Sequence, residues 1–169
     1  MSLPTFIAVE AAHQDEQSFP VSLAWSLADG RIKQAWVQPE NDWLEAASEA
    51  QLAVSDSDFS LEAYPVDEVV RELLYDQTDD VYQVAQLHPQ EAWLLKLFAA
   101  AEKEVTFELV EAAPLGNREA WQETYQQTLD FLGLDARRAE DQVRALLETH
   151  VILTGEQPEI DSLEEKNDD

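Results

Sequence analysis

The chain has 169 residues, a mass of 19.1 kDa and a formal charge of −26, from 36 acidic and 10 basic side chains. At 45% hydrophobic and 9% aromatic it can fill one core, which excludes a wholly disordered chain. Only 4 Gly and 7 Pro exclude a fibrous protein, and the lack of cysteine excludes disulfides, thiol catalysis and zinc–thiolate sites.

Thr5 to Glu10 is short and β-rich, a first strand. Phe19, Val21, Leu23, Trp25 and Leu27 then alternate with small or polar residues, the pattern of a half-buried second strand. Asp29-Gly30 predicts a tight two-residue turn with positive φ at both positions, and 31–38 returns as the third strand. From Pro39 to Ser60 the pattern is weak. Only Trp43 to Leu52 reads as a short helix there, with Trp43 the candidate for an exposed Trp. Pro65 opens a helix carrying Val66, Val69, Val70, Leu73 and Leu74 at helical spacing. Asp76 to Asp80 is a polar turn, and 81–85 a fourth strand. Pro89 opens the next helix, whose buried face is Trp93, Leu94, Leu97, Phe98 and Ala101, and 105–109 is a fifth strand. Asn117 is placed to cap a helix that runs to Leu132 and ends at Gly133. Asp135 is placed to cap a last helix with Ala139, Val143, Leu146, Leu147 and His150 on its apolar face. A three-strand antiparallel meander followed by alternating helix and strand predicts an α/β fold: a mixed five-stranded sheet in a three-layer α/β/α arrangement. Residues 1–154 form one domain on this reading, and 155–169 a disordered acidic tail.

The charge bears on partners. Nucleic-acid affinity comes largely from Lys and Arg on phosphates, and the few basic residues here are scattered, so direct nucleic-acid binding is expected to be weak or absent. A negative field also repels anionic membranes, and no apolar run reaches the length of a membrane span. Three meanings of the acidity remain open. They are a solubilising surface suited to a salt-rich cytoplasm, attraction to a basic protein partner or to divalent cations, and mimicry of nucleic acid. Met1-Ser2-Leu3-Pro4 has neither the basic nor the apolar part of a signal peptide, which predicts a cytoplasmic protein.

Several strings, in this order along residues 5–150, resemble the DEDDh 3′–5′ exonucleases of the RNase H-like fold, the group that includes polymerase proofreading subunits. Phe6-Ile7-Ala8-Val9-Glu10 is similar to a first strand of the form Phe-Ile-Asp-x-Glu. Pro20 to Trp25 and the break at Pro39 match the following strands. Gln90-Glu91-Ala92-Trp93-Leu94 resembles Asp-x-x-Trp-Leu, and 137–142, Arg-Arg-Ala-Glu-Asp-Gln, resembles His-Arg-Ala-x-x-Asp. The resemblance implies a site where carboxylates hold two Mg²⁺ ions and a His acts as general base.

The chemistry departs from that pattern. Position by position, the first Asp is Ala8, the Glu is kept as Glu10, the other two Asp are Gln90 and Gln142, and the His is Arg137. Gln is a neutral ligand that cannot balance a hard dication, and Arg stays protonated and cannot be a base. A catalytically impaired exonuclease-like protein, acting as a binding or regulatory module and needing no cofactor, follows as the expectation. The alternative is a weak single-strand 3′–5′ exonuclease using Mg²⁺ or Mn²⁺ on Glu10 with Asp141 or Glu91, each one residue from a lost carboxylate. One residue on a helix is a rotation of about 100°, which turns such a neighbour away. A shift of strand register that let Glu10 replace the first Asp would put Ala12 at the Glu position. Arg137 has two readings: it holds a phosphate or carboxylate beside Gln90 and Gln142, or it salt-bridges Glu10, the preferred one. His13 reads as a surface residue, His88 precedes Pro89, and His150 reads as a core-edge residue. The three share no metal-ligand spacing.

Overall fold

The computed structural model describes residues 3–49, 63–113 and 118–155. The elements run β1 (Ile7–Ala11), β2 (Pro20–Ser26), β3 (Ile32–Trp36), α1 (Asn41–Glu49), α2 (Val66–Asp76), β4 (Val81–Val84), α3 (Leu87–Ala100), β5 (Glu108–Glu111), α4 (Arg118–Leu132) and α5 (Ala139–Thr154). This is a mixed α/β chain. The proposed Asn117 cap and almost all of the acidic tail lie outside the described residues.

The strands do not form one five-stranded sheet. β1, β2 and β3 make an antiparallel sheet, and β4 and β5 a parallel pair. The two sheets meet at one parallel bridge, Phe6 with Gln83, where the Gln83 N–H donates to the Thr5 carbonyl at 2.9 Å and the Thr5 hydroxyl to the Val81 carbonyl at 2.9 Å. Pairing stops there for a local reason. The Val9 N–H donates to the side chain of Gln90, 2.8 Å away, and is not free to continue the ladder toward β4.

β1 alternates between two cores. Ile7 and Val9 pack with Leu23, Trp25 and the apolar faces of α2 and α3, whereas Phe6 and Ala8 pack with Ala24 and with Ala139, Val143 and Leu146 of α5. Helices therefore cover both faces of the three-stranded sheet. For that reason β2 is buried along its whole length and is not half-exposed: Ser22, Ala24 and Ser26, the small residues of the alternation, face α5 instead of water. Ser26 is satisfied by accepting the Phe6 N–H at 2.8 Å, and Ser22 by accepting Gln34 Nε2 at 2.9 Å.

The hairpin forms where expected, with a different turn. Only Gly30 has positive φ (94°), the Gly30 N–H returns to the Leu27 carbonyl, and Asp29 Oδ1 accepts the Arg31 N–H. This is a longer connection closed by a glycine bulge, so Asp29 needs no positive φ. Trp43 is buried, stacked on Phe19 with centroids 5.8 Å apart, because α1 folds back over the end of β2. β5 lies three residues beyond the Val105 start. Val105 and Phe107 are drawn into the core, and Glu108 opens the ladder by donating to the Asp80 carbonyl. Regular helix in α3 begins at Pro89, since His88 is extended. α4 ends at Gly133 (φ 67°) with the Leu134 N–H reaching the Leu129 carbonyl, the Schellman pattern.

Candidate functional site

Three elements converge at the C-terminal end of β1. Pro89 starts the regular part of α3, so Gln90 lies in its first turn, pointing at the strand. α5 begins at Ala139, so Gln142 lies in its first turn and faces the same point. Gln90 Oε1 accepts the Val9 N–H at 2.8 Å and Gln90 Nε2 donates to Gln142 Oε1 at 2.9 Å. Both side chains are buried, at 5% and 6% exposure. A backbone N–H can only donate, so it forces Gln90 to turn its oxygen inward. That orients Gln90 Nε2 toward Gln142, which must answer with its own oxygen. The backbone thus fixes the polarity of the relay, and the Gln142 amide nitrogen is left facing outward.

Ala8 is fully buried one residue away, against α5. Glu10 is two residues further along the same face. Its Oε1 accepts the Ala139 N–H at 3.1 Å, and its Oε2 lies 3.5 Å from Arg138 Nη1. Ala139 is the first residue of α5, and Arg138, in the capping position, gives no side-chain cap, so a carboxylate from β1 caps the helix instead. Burial pushes the Glu10 carboxyl up from its ordinary value. The Ala139 N–H and Arg138 pull against that rise, and Asp135 and Asp141 add to it.

The preferred pairing of Arg137 with Glu10 is corrected. Arg137 is 75% exposed, its Nε lies 3.6 Å from Asp135, and its N–H donates to the Asp135 carboxylate at 2.9 Å. The chain makes an Asp-led turn before the helix, which swings Arg137 outward and leaves Arg138 beside Glu10. By the same turn Asp135 serves the segment ahead of α5 and does not cap the helix. Glu91 is exposed, and Asp141 accepts the Asp135 N–H at 2.9 Å. Among the described residues no group of three or more His, Asp or Glu side chains is placed to hold a metal ion. His88 is exposed and 3.9 Å from Glu16, and His150 lies at the core edge with its ring edge-on to Phe6. His13 is half-buried, its N–H donating to Ser18 Oγ.

A cleft of about 390 Å³ opens over the relay. Gln14, Gln86, Gln90, Gln122, Gln126 and Gln142 line it, 6 of the chain's 14 glutamines, together with Trp93, Trp121 and Tyr125. None of the 36 acidic residues lines it among the described residues, Glu10 included, and of the carried-over motif positions Gln90 and Gln142 line it whereas Arg137 does not. Trp121 and Tyr125 stack 5.1 Å apart at 11° on α4, and burial pushes the Tyr125 hydroxyl well above its ordinary pKa. Gln14, Gln86, Gln122 and Gln126 escape a motif search because they come from three separate segments. The available signal is the i, i+4 pair Gln122 and Gln126 beside Trp121 and Tyr125, an amide-and-aromatic face on one helix.

No family model matches this chain, and no curated protein matches it in sequence. No helix among the described residues is long and apolar enough to cross a membrane.

Proposed function

We propose that this chain is an exonuclease-like domain of RNase H-like architecture in which phosphodiester hydrolysis has been lost and the cleft serves as a binding site. Two features support the fold. The bridge at Phe6 aligns the strands in the spatial order β3-β2-β1-β4-β5, and helices lie on both faces of the antiparallel part. The observation that carries the function is the 2.9 Å hydrogen bond between Gln90 and Gln142. In the family this chain resembles, those two positions are carboxylates. Two carboxylates this close repel unless a cation lies between them. Two amides hold each other without one, and Glu10 is already occupied as the cap of α5.

The test is a 3′-labelled single-stranded oligonucleotide incubated with the purified chain and Mn²⁺, beside Glu10→Ala. The expected result is no degradation, or the same trace degradation in both. Degradation that disappears in Glu10→Ala would overturn the proposal in favour of a working metal site.

A further inference from the structure

We infer that the cleft binds an uncharged ring molecule that offers a carbonyl, ring-nitrogen or hydroxyl acceptor to Gln142 Nε2, and that it discriminates against anions. The inference rests on the reading of the cleft as a binding site and goes on to name the chemistry of its ligand.

The donor comes first. Gln142 is 94% buried, since its exposure is 6%, and its oxygen is committed to Gln90. Its nitrogen has no acceptor among the described residues and borders the cleft. The side chain is held in place by the Gln90 bond while its free N–H group faces the cleft, so it presents a fixed donor to an acceptor arriving there. Next comes the wall. Trp121 and Tyr125 supply aromatic surface, and the Gln14, Gln86 and Gln122 amides, which make no protein hydrogen bond among the described residues, supply both donors and acceptors at the rim. The size also fits, because a cavity near 390 Å³ lies in the range of small-molecule sites.

Charge completes the argument. The chain carries −26, yet the cleft is lined by amides, aromatics and small apolar groups. A ligand anion would find no Lys or Arg among the described lining residues to neutralise it, and would enter against the field of the whole surface. A neutral ligand avoids that repulsion, and amides match its donors and acceptors as they match the edge of a base.

The experiment is titration calorimetry on the full chain in EDTA. One arm uses the four common ribonucleosides and a second their 5′-monophosphates. A third uses maltose, a neutral sugar with hydroxyl acceptors and no aromatic base. Binding by a nucleoside or by maltose is expected at or below about 1 mM, and a bound nucleoside should exceed its monophosphate by about tenfold. Which neutral arm responds identifies the source of the acceptor. Gln142→Glu keeps an acceptor for Gln90 and removes the outward donor, so it should weaken binding about tenfold or more. Gln122→Ala with Gln126→Ala, both exposed, should weaken it severalfold with the melting temperature unchanged. No neutral probe bound at about 1 mM, monophosphates bound as well as nucleosides, or full binding by Gln142→Glu would each overturn the inference. Metal-free binding and metal-dependent cleavage are separate readouts, so either proposal can fail alone.

Discussion

The charged cluster over β2 and β3 and the amide relay at the end of β1 start from the same need, a buried donor that requires an acceptor, and end differently. In the first, the indole N–H of the buried Trp25 donates to Asp76 at 2.9 Å. Lys33 donates to the same carboxylate at 2.8 Å and to Glu72 at 2.6 Å. The indole is answered by a carboxylate and the carboxylate by an ammonium ion, and the cluster closes on itself. In the second, the Val9 N–H is answered by a neutral amide, which passes its own donor on to Gln142, and the last donor of the chain faces a cleft. A charge draws counter-charges until it is screened, whereas a neutral amide hands its unused hydrogen bond onward. The closed cluster is a fastening, and the open one leaves a donor facing the cleft.

The largest effect should come from cutting the relay at its root. Gln90→Leu leaves the Val9 N–H without an acceptor and Gln142 Oε1 without a donor, both inside the protein. A loss of about 3 kcal/mol is expected, read as a fall in melting temperature of roughly 6–10 °C. A fall of under about 1 kcal/mol would mean that β4 extends its pairing along β1 and that the relay is dispensable.

Next is the fastening. Asp76→Ala strips the acceptor from a Trp that is 1% exposed and should cost about 2 kcal/mol in thermal unfolding. Asp76→Asn keeps an oxygen for the indole and should recover most of that. The ionic part is smaller, since Lys33 is 37% exposed. The hydrogen bonds to Asp76 and then Glu72 hold the Lys33 ammonium above its ordinary pKa of 10.5. Its contribution is therefore full below that value and is lost as the pH rises through the raised one. If Asp76→Asn were as damaging as Asp76→Ala, charge rather than the indole bond would be holding the cluster.

Much of this was legible in the sequence where the signal is local. The alternation in 19–27 and the helical spacing after Pro65 and Pro89 correspond to β2, α2 and α3, and the strings around Glu10, Gln90 and Gln142 do mark segments that meet in space. What was not legible depends on tertiary competition. Val105-Thr106-Phe107 has strand propensity, yet pairing with β4 is set by Asp80 and begins at Glu108. The single mixed sheet fails because a side chain from α3 takes the N–H that the next bridge would need. Arg137 and Arg138 are adjacent and chemically identical, so only the Asp135 turn decides which one faces Glu10. The neutral lining of the cleft is gathered from three segments with no common spacing.

The smallest effect probes the charge nearest the open relay. Glu10 is 14% exposed in its side chain, and burial holds its carboxyl above the ordinary value of 4.5 despite the Ala139 N–H and Arg138. Between that value and the raised one the folded state binds more protons than the unfolded state. Stability is therefore highest below it and declines as the pH rises through the raised value. Glu10→Gln keeps an oxygen for the Ala139 N–H and removes the buried charge. It should raise the melting temperature at neutral pH by about 2–4 °C, a gain of about 1 kcal/mol. The gain should vanish as the pH is lowered through the range in which the wild-type carboxyl takes up its proton. A lower melting temperature at neutral pH would show that the Arg138 pair outweighs burial, making the end of β1 a second charged fastening beside the neutral cleft.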